Sequence, residues 1–335
     1  MQNRLSRRQF LGQSAAAASA AAVFAADTNN RAKPLPTRAL GKTGAKVSIL
    51  VMGCGSRLLS YEKEEAAVEA LNLALDLGVT YLDTAFGYGN GKSETWVGQV
   101  LKHRRKGVFV ATKINVRDPN EAQRILEASM KRLQTDQVDL IHVHSLSDEA
   151  DLAKVEAKGG VLDVLFKLRD QKVTRFVGIT SHSDPTVLKT AIERHDIDCV
   201  QMALNAALQG FTSGGGKMVL NPSMKTSFEH IALPAARKKN LGILAMKAMG
   251  QEELLGPGAG KSDPDKLLQY TLSLPVAAAV VGMPKLEFIR HNTTLARSFK
   301  PMAKEEMKQF SQRMSDANKL ALDRKFLHHS DICAG

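Results

Sequence analysis

Aromatic residues make up only 5% of this 335-residue chain, and its basic residues are scattered rather than gathered into a repeat. A nucleic-acid surface needs clustered cations with stacking rings among them. The net charge of +12 is therefore read as a surface that attracts anionic ligands, and no nucleic-acid partner is expected. Cysteine is equally sparse. Cys54, Cys199 and Cys333 are odd in number and far apart, which gives neither a disulfide framework nor a CxxC metal pattern. Cys54 and Cys199 lie in apolar runs and read as small core residues. No acidic residue precedes Asp27, and no low-complexity tract interrupts the body of the chain.

That acid-free start has an order of its own. Ser6-Arg7-Arg8-Gln9-Phe10-Leu11 leads into an Ala/Ser-rich stretch over 14–24 that exits through Val23-Phe24-Ala25. It resembles a bacterial twin-arginine export signal; the alternative is a disordered arm with accidental arginines. The stretch is too short and too weakly apolar for a comfortable membrane span, so stable membrane insertion is not expected. The implied partner is the twin-arginine translocase, and the implied location is periplasmic or otherwise exported. The chain divides into the signal (1–26), a polar linker (27–36) and one barrel-type domain (37–335).

From Leu40 to Val47 the chain reads as a hairpin with Gly41 and Gly44 at its turn. Eight strand-like apolar runs follow, each trailed by helical spacing. They are 49–53 then 62–77, 81–83 then 93–101, 108–113 then 120–133, and 138–144 then 161–170. The remaining four are 173–180 then 185–194, 199–204 then 228–239, 241–246 then 263–274, and 277–281 then 286–296. Ser93 is a candidate cap for the second helix. Continuous apolar strands alternating with amphipathic helices predict a parallel sheet covered by helices. Eight units predict an α/β fold of the (β/α)8 TIM-barrel type, with an amino-terminal β-hairpin and an extra carboxy-terminal helix over 303–320. A doubly wound open sheet is the rival. Two stretches, 208–226 and 250–261, read as irregular loops after strands.

Three consecutive strands each close on an ionisable residue: Asp83, Lys113 and His144. Side chains alternate along a strand, so Tyr81/Asp83, Phe109/Ala111/Lys113 and Leu140/His142/His144 each share a face. If that face lines the barrel, the three end residues converge on its carboxyl rim, where barrel active sites lie. Tyr88 reaches over from the glycine-rich loop Gly87-Tyr88-Gly89. A buried lysine beside a phenol favours the phenolate and lowers its pKa. Tyr88 then exchanges a proton with a carbonyl or alcohol oxygen, Asp83 holds Lys113, and His144 orients the oxygen. The plain alternative is a set of rim residues satisfying one another as an ion pair.

With these residues in order, the chain over 38–301 resembles the aldo-keto reductase family. Its opening, Arg38-Ala39-Leu40-Gly41-Lys42-Thr43-Gly44 followed by Val47-Ser48, is similar to the family's amino-terminal hairpin, and Asp83, Tyr88, Lys113 and His144 fall on its catalytic tetrad. Asp139-Leu140 favours His144 over His142 for that role. The resemblance implies an NADP(H)-dependent oxidoreductase, with NAD(H) as the other cofactor, acting on a small carbonyl or alcohol, with sugars among the candidates. It implies that Thr180, Ser181 and Gln201 hold the nicotinamide carboxamide and that Met246 stands where many members stack a tyrosine. Gly282, Met283, Lys285, Arg290, His291 and Asn292 resemble the segment around the adenosine phosphate. Lys285 and Arg290 would favour NADP. Gly53, Cys54 and Lys247 complete the implied cofactor set. The sequence departs from the pattern at Ser181 and Met246. One bacterial branch with a similar Ala245-Met246-Lys247-Ala248-Met249 segment includes members with an iron–sulfur tail; this chain lacks those cysteines, so no cluster is expected.

Two rivals differ in class. His142-Val143-His144 is similar to a metal-binding pair of barrel hydrolases, but that reading explains neither Tyr88 nor Lys113, and no metal site is expected. The other is a non-catalytic, redox-sensing barrel that binds NADP(H), since a fold and a site do not prove turnover.

Overall fold

The computed structural model describes residues 34–214, 217–221 and 224–330. The arginine-containing segment 1–26, all but the last residues of the linker, and Cys333 lie outside them. Eight strands close a barrel: β3 (Leu50–Gly53), β4 (Tyr81–Asp83), β5 (Phe109–Ile114), β6 (Val138–Val143), β7 (Thr174–Ser181), β8 (Cys199–Ala203), β11 (Gly242–Met246) and β12 (Ala278–Val281). Every neighbouring pair is parallel, and β12 pairs with β3 to complete the ring. These strands are apolar on both faces because both are buried. One face meets the surrounding helices and the other fills the barrel.

The interior is packed rather than hollow. Tyr81 and Phe109 meet at 4.6 Å between ring centroids, and Phe109 stacks on Phe176 at 6.3 Å. Below them, the antiparallel hairpin of β1 (Thr37–Ala39) and β2 (Lys46–Ser48) closes the amino-terminal end, and Leu40 and Val47 join the interior cluster. Its turn passes so close to β11 that a Cβ at Gly41 would lie 2.3 Å from the Leu241 carbonyl carbon, and φ there is +53°. Only glycine fits such an approach. With its floor plugged, the barrel presents its polar residues at the carboxyl ends of the strands.

Three local expectations differ. The stretch after β8 is not wholly irregular, because β9 (Phe211–Gly214) and β10 (Lys217–Leu220) form an antiparallel hairpin. Short β-prone segments on either side of glycines pair across the turn. A further helix, Glu149–Val155, is capped by Asp148, whose carboxylate accepts from the Asp151 N–H; at seven residues it is too short to show periodicity. Ser93 does not cap. The helix Lys92–Arg104 starts after Gly91 in the left-handed region. The Ser93 hydroxyl turns inward, donating to the Cys54 carbonyl at 2.6 Å and lying 2.8 Å from Thr84 Oγ1. Ser93 thus ties β3, β4 and the Tyr88 loop together. The last helix runs over Lys304–Ser330. Among the described residues no helix is long and apolar enough to cross a membrane.

Candidate active site

Asp83 is the last residue of β4, and its register partner on β5 is Ala111. Lys113 therefore sits one interior position higher and reaches back over Asp83. Its ammonium lies 2.5 Å from Asp83 Oδ1, 2.9 Å from the Thr84 carbonyl and 3.4 Å from the Tyr88 hydroxyl. Both Asp83 and Lys113 are about 1% exposed. Tyr88 arrives on a loop held by Phe86 N–H to Lys113 carbonyl and Tyr88 N–H to Ala85 carbonyl bonds. Its ring lies against Gly55, where an added Cβ would sit 3.4 Å from the phenol carbon. His144 follows β6 directly, with its N–H on the Ile114 carbonyl, and its ring meets Tyr88 edge to face at 5.5 Å. All four residues are thus brought together on one rim.

The electrostatics follow from burial set against charge. Burial opposes the Lys113 ammonium, but Asp83 and Tyr88 outweigh it, so its pKa rises and the charge is held. Burial lifts the Asp83 carboxyl, against the pull of Lys113. For Tyr88 the expected lowering does not occur. Burial raises the phenol first, Lys113 pulls it down, and Asp83 pushes up again, leaving the net direction upward. Tyr88 is therefore a proton-bearing phenol at neutral pH. Burial, then Lys113 and the neighbouring His182, keep His144 well below 6.5, so its ring is neutral. His142 lies deeper and is also neutral. Neither of its ring nitrogens has a hydrogen-bond partner. Its ring fits because Gly178, its register partner on β7, has no side chain; a Cβ there would lie 2.5 Å from Nδ1. Among the described residues no cluster of three potential metal ligands forms, at His142 and His144 or elsewhere.

From this rim a cavity of about 800 Å3 runs outward across the ends of β3, β11 and β12. It brings together Asp83, Tyr88, Gly53, Gln201, Met246, Lys247, Gly282, His291 and Asn292. The Gln201 amide donates to Met246 Sδ at 3.8 Å, while its buried Oε1 has no partner. Other expected contacts do not line the cavity. Cys54 is fully buried, with its thiol on the Met52 carbonyl. Thr180 and Ser181 instead hold the loop after His144: Thr180 Oγ1 accepts from the Ser145 N–H, and Ser181 Oγ donates to the Leu146 carbonyl. Met283 is buried, and its carbonyl accepts from the Tyr61 hydroxyl. Lys285 is exposed and ion-paired with Glu287, and Arg290 is exposed.

The sequence reading missed Arg57 and Glu252, which both line the cavity and form a 2.7 Å salt bridge over the end of β12. It also missed Phe288, an exposed aromatic in the cavity wall. A signal existed for Arg57, which follows Gly53-Cys54-Gly55-Ser56 directly off a strand. Nothing in the sequence marks Glu252 as its partner. A long cavity walled by glycine backbone, with an orphaned buried amide oxygen at one end, fits an extended ligand whose amide donates to Gln201.

The chain is similar to known proteins in sequence and fold. A model of the aldo/keto reductase family matches residues 51–268. The uncharacterized oxidoreductase YqkF of Bacillus subtilis is 28% identical over 307 residues, covering 81% of this chain and 94% of that protein. The aldo-keto reductase yakc [NADP(+)] of Schizosaccharomyces pombe is 30% identical over 173 residues, 47% of this chain and 48% of that one. An aldo-keto reductase from Klebsiella pneumoniae, solved in complex with NADPH, superimposes with a TM-score of 0.65 at 21% identity, covering 84% of this chain and 95% of that chain. At that identity the likeness concerns the fold.

Proposed function

Since the chain is an oxidoreductase of the aldo/keto reductase family, we propose that it interconverts a small carbonyl compound and its alcohol with NADP(H), using Tyr88 as proton donor and acceptor. The observation that carries this reading is Lys113, whose ammonium touches both Asp83 and the Tyr88 hydroxyl. When bound, the nicotinamide supplies or accepts the hydride. The residues supply the rest. In reduction, the protonated phenol of Tyr88 donates to the carbonyl oxygen as negative charge develops there. Lys113 stabilises the phenolate left behind, and Asp83 keeps that ammonium in position. Neutral His144 hydrogen-bonds the same oxygen and fixes its approach. In oxidation the phenolate takes the proton back.

Gln201, through its unpartnered Oε1, would hold the carboxamide, with Met246 beside it. Arg57, Gly282, His291 and Asn292 would line the path of the phosphates and adenosine. NADP(H) is favoured over NAD(H) by the name of the fission-yeast relative and by the cations Lys285 and Arg290 beside the cavity. We further propose export through the twin-arginine route, on the order of Arg7-Arg8, Phe10-Leu11 and the Ala-rich stretch. In that case the protein folds around its nucleotide before it travels. Fractionation of the source cell, with nucleotide assayed in the exported protein, tests this; purely cytoplasmic protein, or exported protein unable to bind nucleotide, would count against it.

The test of function is titration with NADPH and NADH, then turnover with an aldehyde and a sugar panel. Saturable binding with NADPH preferred is expected. Tyr88→Phe is expected to keep that binding and lose turnover by at least about a hundredfold; near-normal turnover would reject Tyr88 as the acid.

A further inference from the structure

The charged residues lining the cavity pair off, with one exception. Asp83 is taken by Lys113, Glu252 by Arg57 at 2.7 Å, Glu287 by Lys285 at 3.7 Å, and His291 by Asp265 at 2.6 Å. Lys247 also lines the cavity, yet among the described residues it has no acidic partner. Its ammonium lies only over the Phe211 ring, 5.5 Å from the centroid. A cation–π contact is too weak to offset removing an ammonium from water. Lys247 is half-buried, with its backbone at φ +63°, a conformation that strains a non-glycine residue. A side chain kept in the wall at such cost, and left without a counter-charge, is suited to a ligand that brings one.

We propose that Lys247 is an oxyanion-recognition site of this cavity, so that the substrate reacting there carries a carboxylate or phosphate that pairs with its ammonium. This rests on the oxidoreductase reading and adds a ligand class to it. Arg57, from the helix after β3, and His182, at the end of β7, are the charged and titratable groups coupled to Lys247. His182 is neutral, with a pKa lowered to about 4 by burial and then by Lys247. Burial, and behind it Arg57, lower Lys247 to about 8, which leaves it mostly charged at neutral pH. The cofactor's own phosphates are the competing partner, the one the family resemblance already implies for Lys247.

The experiment separates the two by comparing wild type, Lys247→Met and Lys247→Arg. NADPH affinity is measured by fluorescence, and kcat/KM is measured for 4-carboxybenzaldehyde against 4-methylbenzaldehyde. A charge-assisted hydrogen bond of about 1.5–3 kcal/mol corresponds to roughly tenfold or more. If the substrate carries the anion, the carboxylated-to-neutral preference falls at least about tenfold in Lys247→Met, through KM, and Lys247→Arg restores part of it. If the cofactor carries it, NADPH affinity falls by that factor and the preference does not move, which would overturn the proposal and return Lys247 to the cofactor set. No change in either quantity would overturn the proposal. If wild type reduces neither aldehyde, the oxidoreductase reading has failed on its own. Stabilisation by benzoate and by pyrophosphate, read as a thermal shift lost in Lys247→Met, then decides the anion site, and no difference from wild type overturns it.

Discussion

Lys113 Nζ and Asp83 Oδ1 lie 2.5 Å apart with both side chains out of contact with water. The pair comes from adjacent strands, and the register that sets Ala111 opposite Asp83 makes Lys113 reach downward rather than out into the cavity. The carboxylate thereby fixes the ammonium at a point where it also meets the Tyr88 hydroxyl. Removing one partner of a buried ion pair leaves an uncompensated charge, at a cost of about 3–5 kcal/mol. Asp83→Asn is expected to lower stability by that order. It should also cut kcat by about a hundredfold or more, because Lys113 no longer stays against the phenol. Denaturant unfolding and steady-state kinetics on protein that still binds NADPH check both; a variant with full kcat would show that Asp83 has no positioning role.

Arg57, on the short helix Ser56–Leu59 after β3, and Glu252, on the turn Gly250–Glu252 after β11, reach each other with the end of β12 between them. Gln251 and Glu252 both have positive φ, at +57° and +78°, so this loop is strained where it bears the carboxylate. Both side chains are partly exposed, and the bridge adds at most about 1 kcal/mol to stability. Its position suits a latch over a bound dinucleotide. Glu252→Ala is expected to speed NADPH release several-fold while the thermal midpoint moves little. Stopped-flow displacement measures the release, and an unchanged rate would mean that the pair is a surface contact only.

The pH profile follows from the directions at Tyr88 and His144. The folded phenol sits above its ordinary pKa of about 10, so the proton that reduction consumes is present throughout the neutral range. It is lost only as pH rises through that elevated value. Oxidation needs the phenolate and gains as pH rises toward it. His144, held well below 6.5, adds no limb near that pH. With NADPH and an uncharged aldehyde both saturating, kcat for reduction is therefore expected to be flat from about pH 6 to 9, with alcohol oxidation climbing over the same window. A reduction rate that fell tenfold between pH 6 and 7.5 would contradict a neutral His144.

The barrel was legible because its strands are buried on both faces and so read as unbroken apolar runs, each ending where the backbone turns toward solvent. Asp83, Lys113 and His144 stood out as charges placed where apolar runs stop. What the residues alone left open was depth. Whether Lys113 or burial governs the Tyr88 phenol is a balance of two opposed effects, decided only when the loop is folded over the rim. Thr180 and Ser181 carry hydroxyls at the end of β7 that could face a cavity or a neighbouring loop. The turn after His144, with Ser145 at φ +57°, presents the backbone groups that claim them. Arg57 and Glu252 are 195 positions apart in sequence, and no local pattern couples such residues.

Gly178 shows how the deeper barrel layer constrains the upper one. Its missing side chain leaves room for the His142 ring; an added Cβ would lie 2.5 Å from Nδ1 and 2.7 Å from the Cys199 carbonyl oxygen. The His142 ring is fully buried, and the carbonyl belongs to barrel strand β8. Gly178→Ala is therefore expected to destabilise by about 1–3 kcal/mol or more through overpacking. The displaced His142 lies on β6, two residues before His144, so kcat should fall as well. Adding His142→Ala to Gly178→Ala should recover the part of the loss due to the ring and leave the part due to the carbonyl. Denaturant midpoints of the two single variants and the double variant give that coupling directly. Strict additivity would show that the ring and the glycine do not share the space the structure gives them.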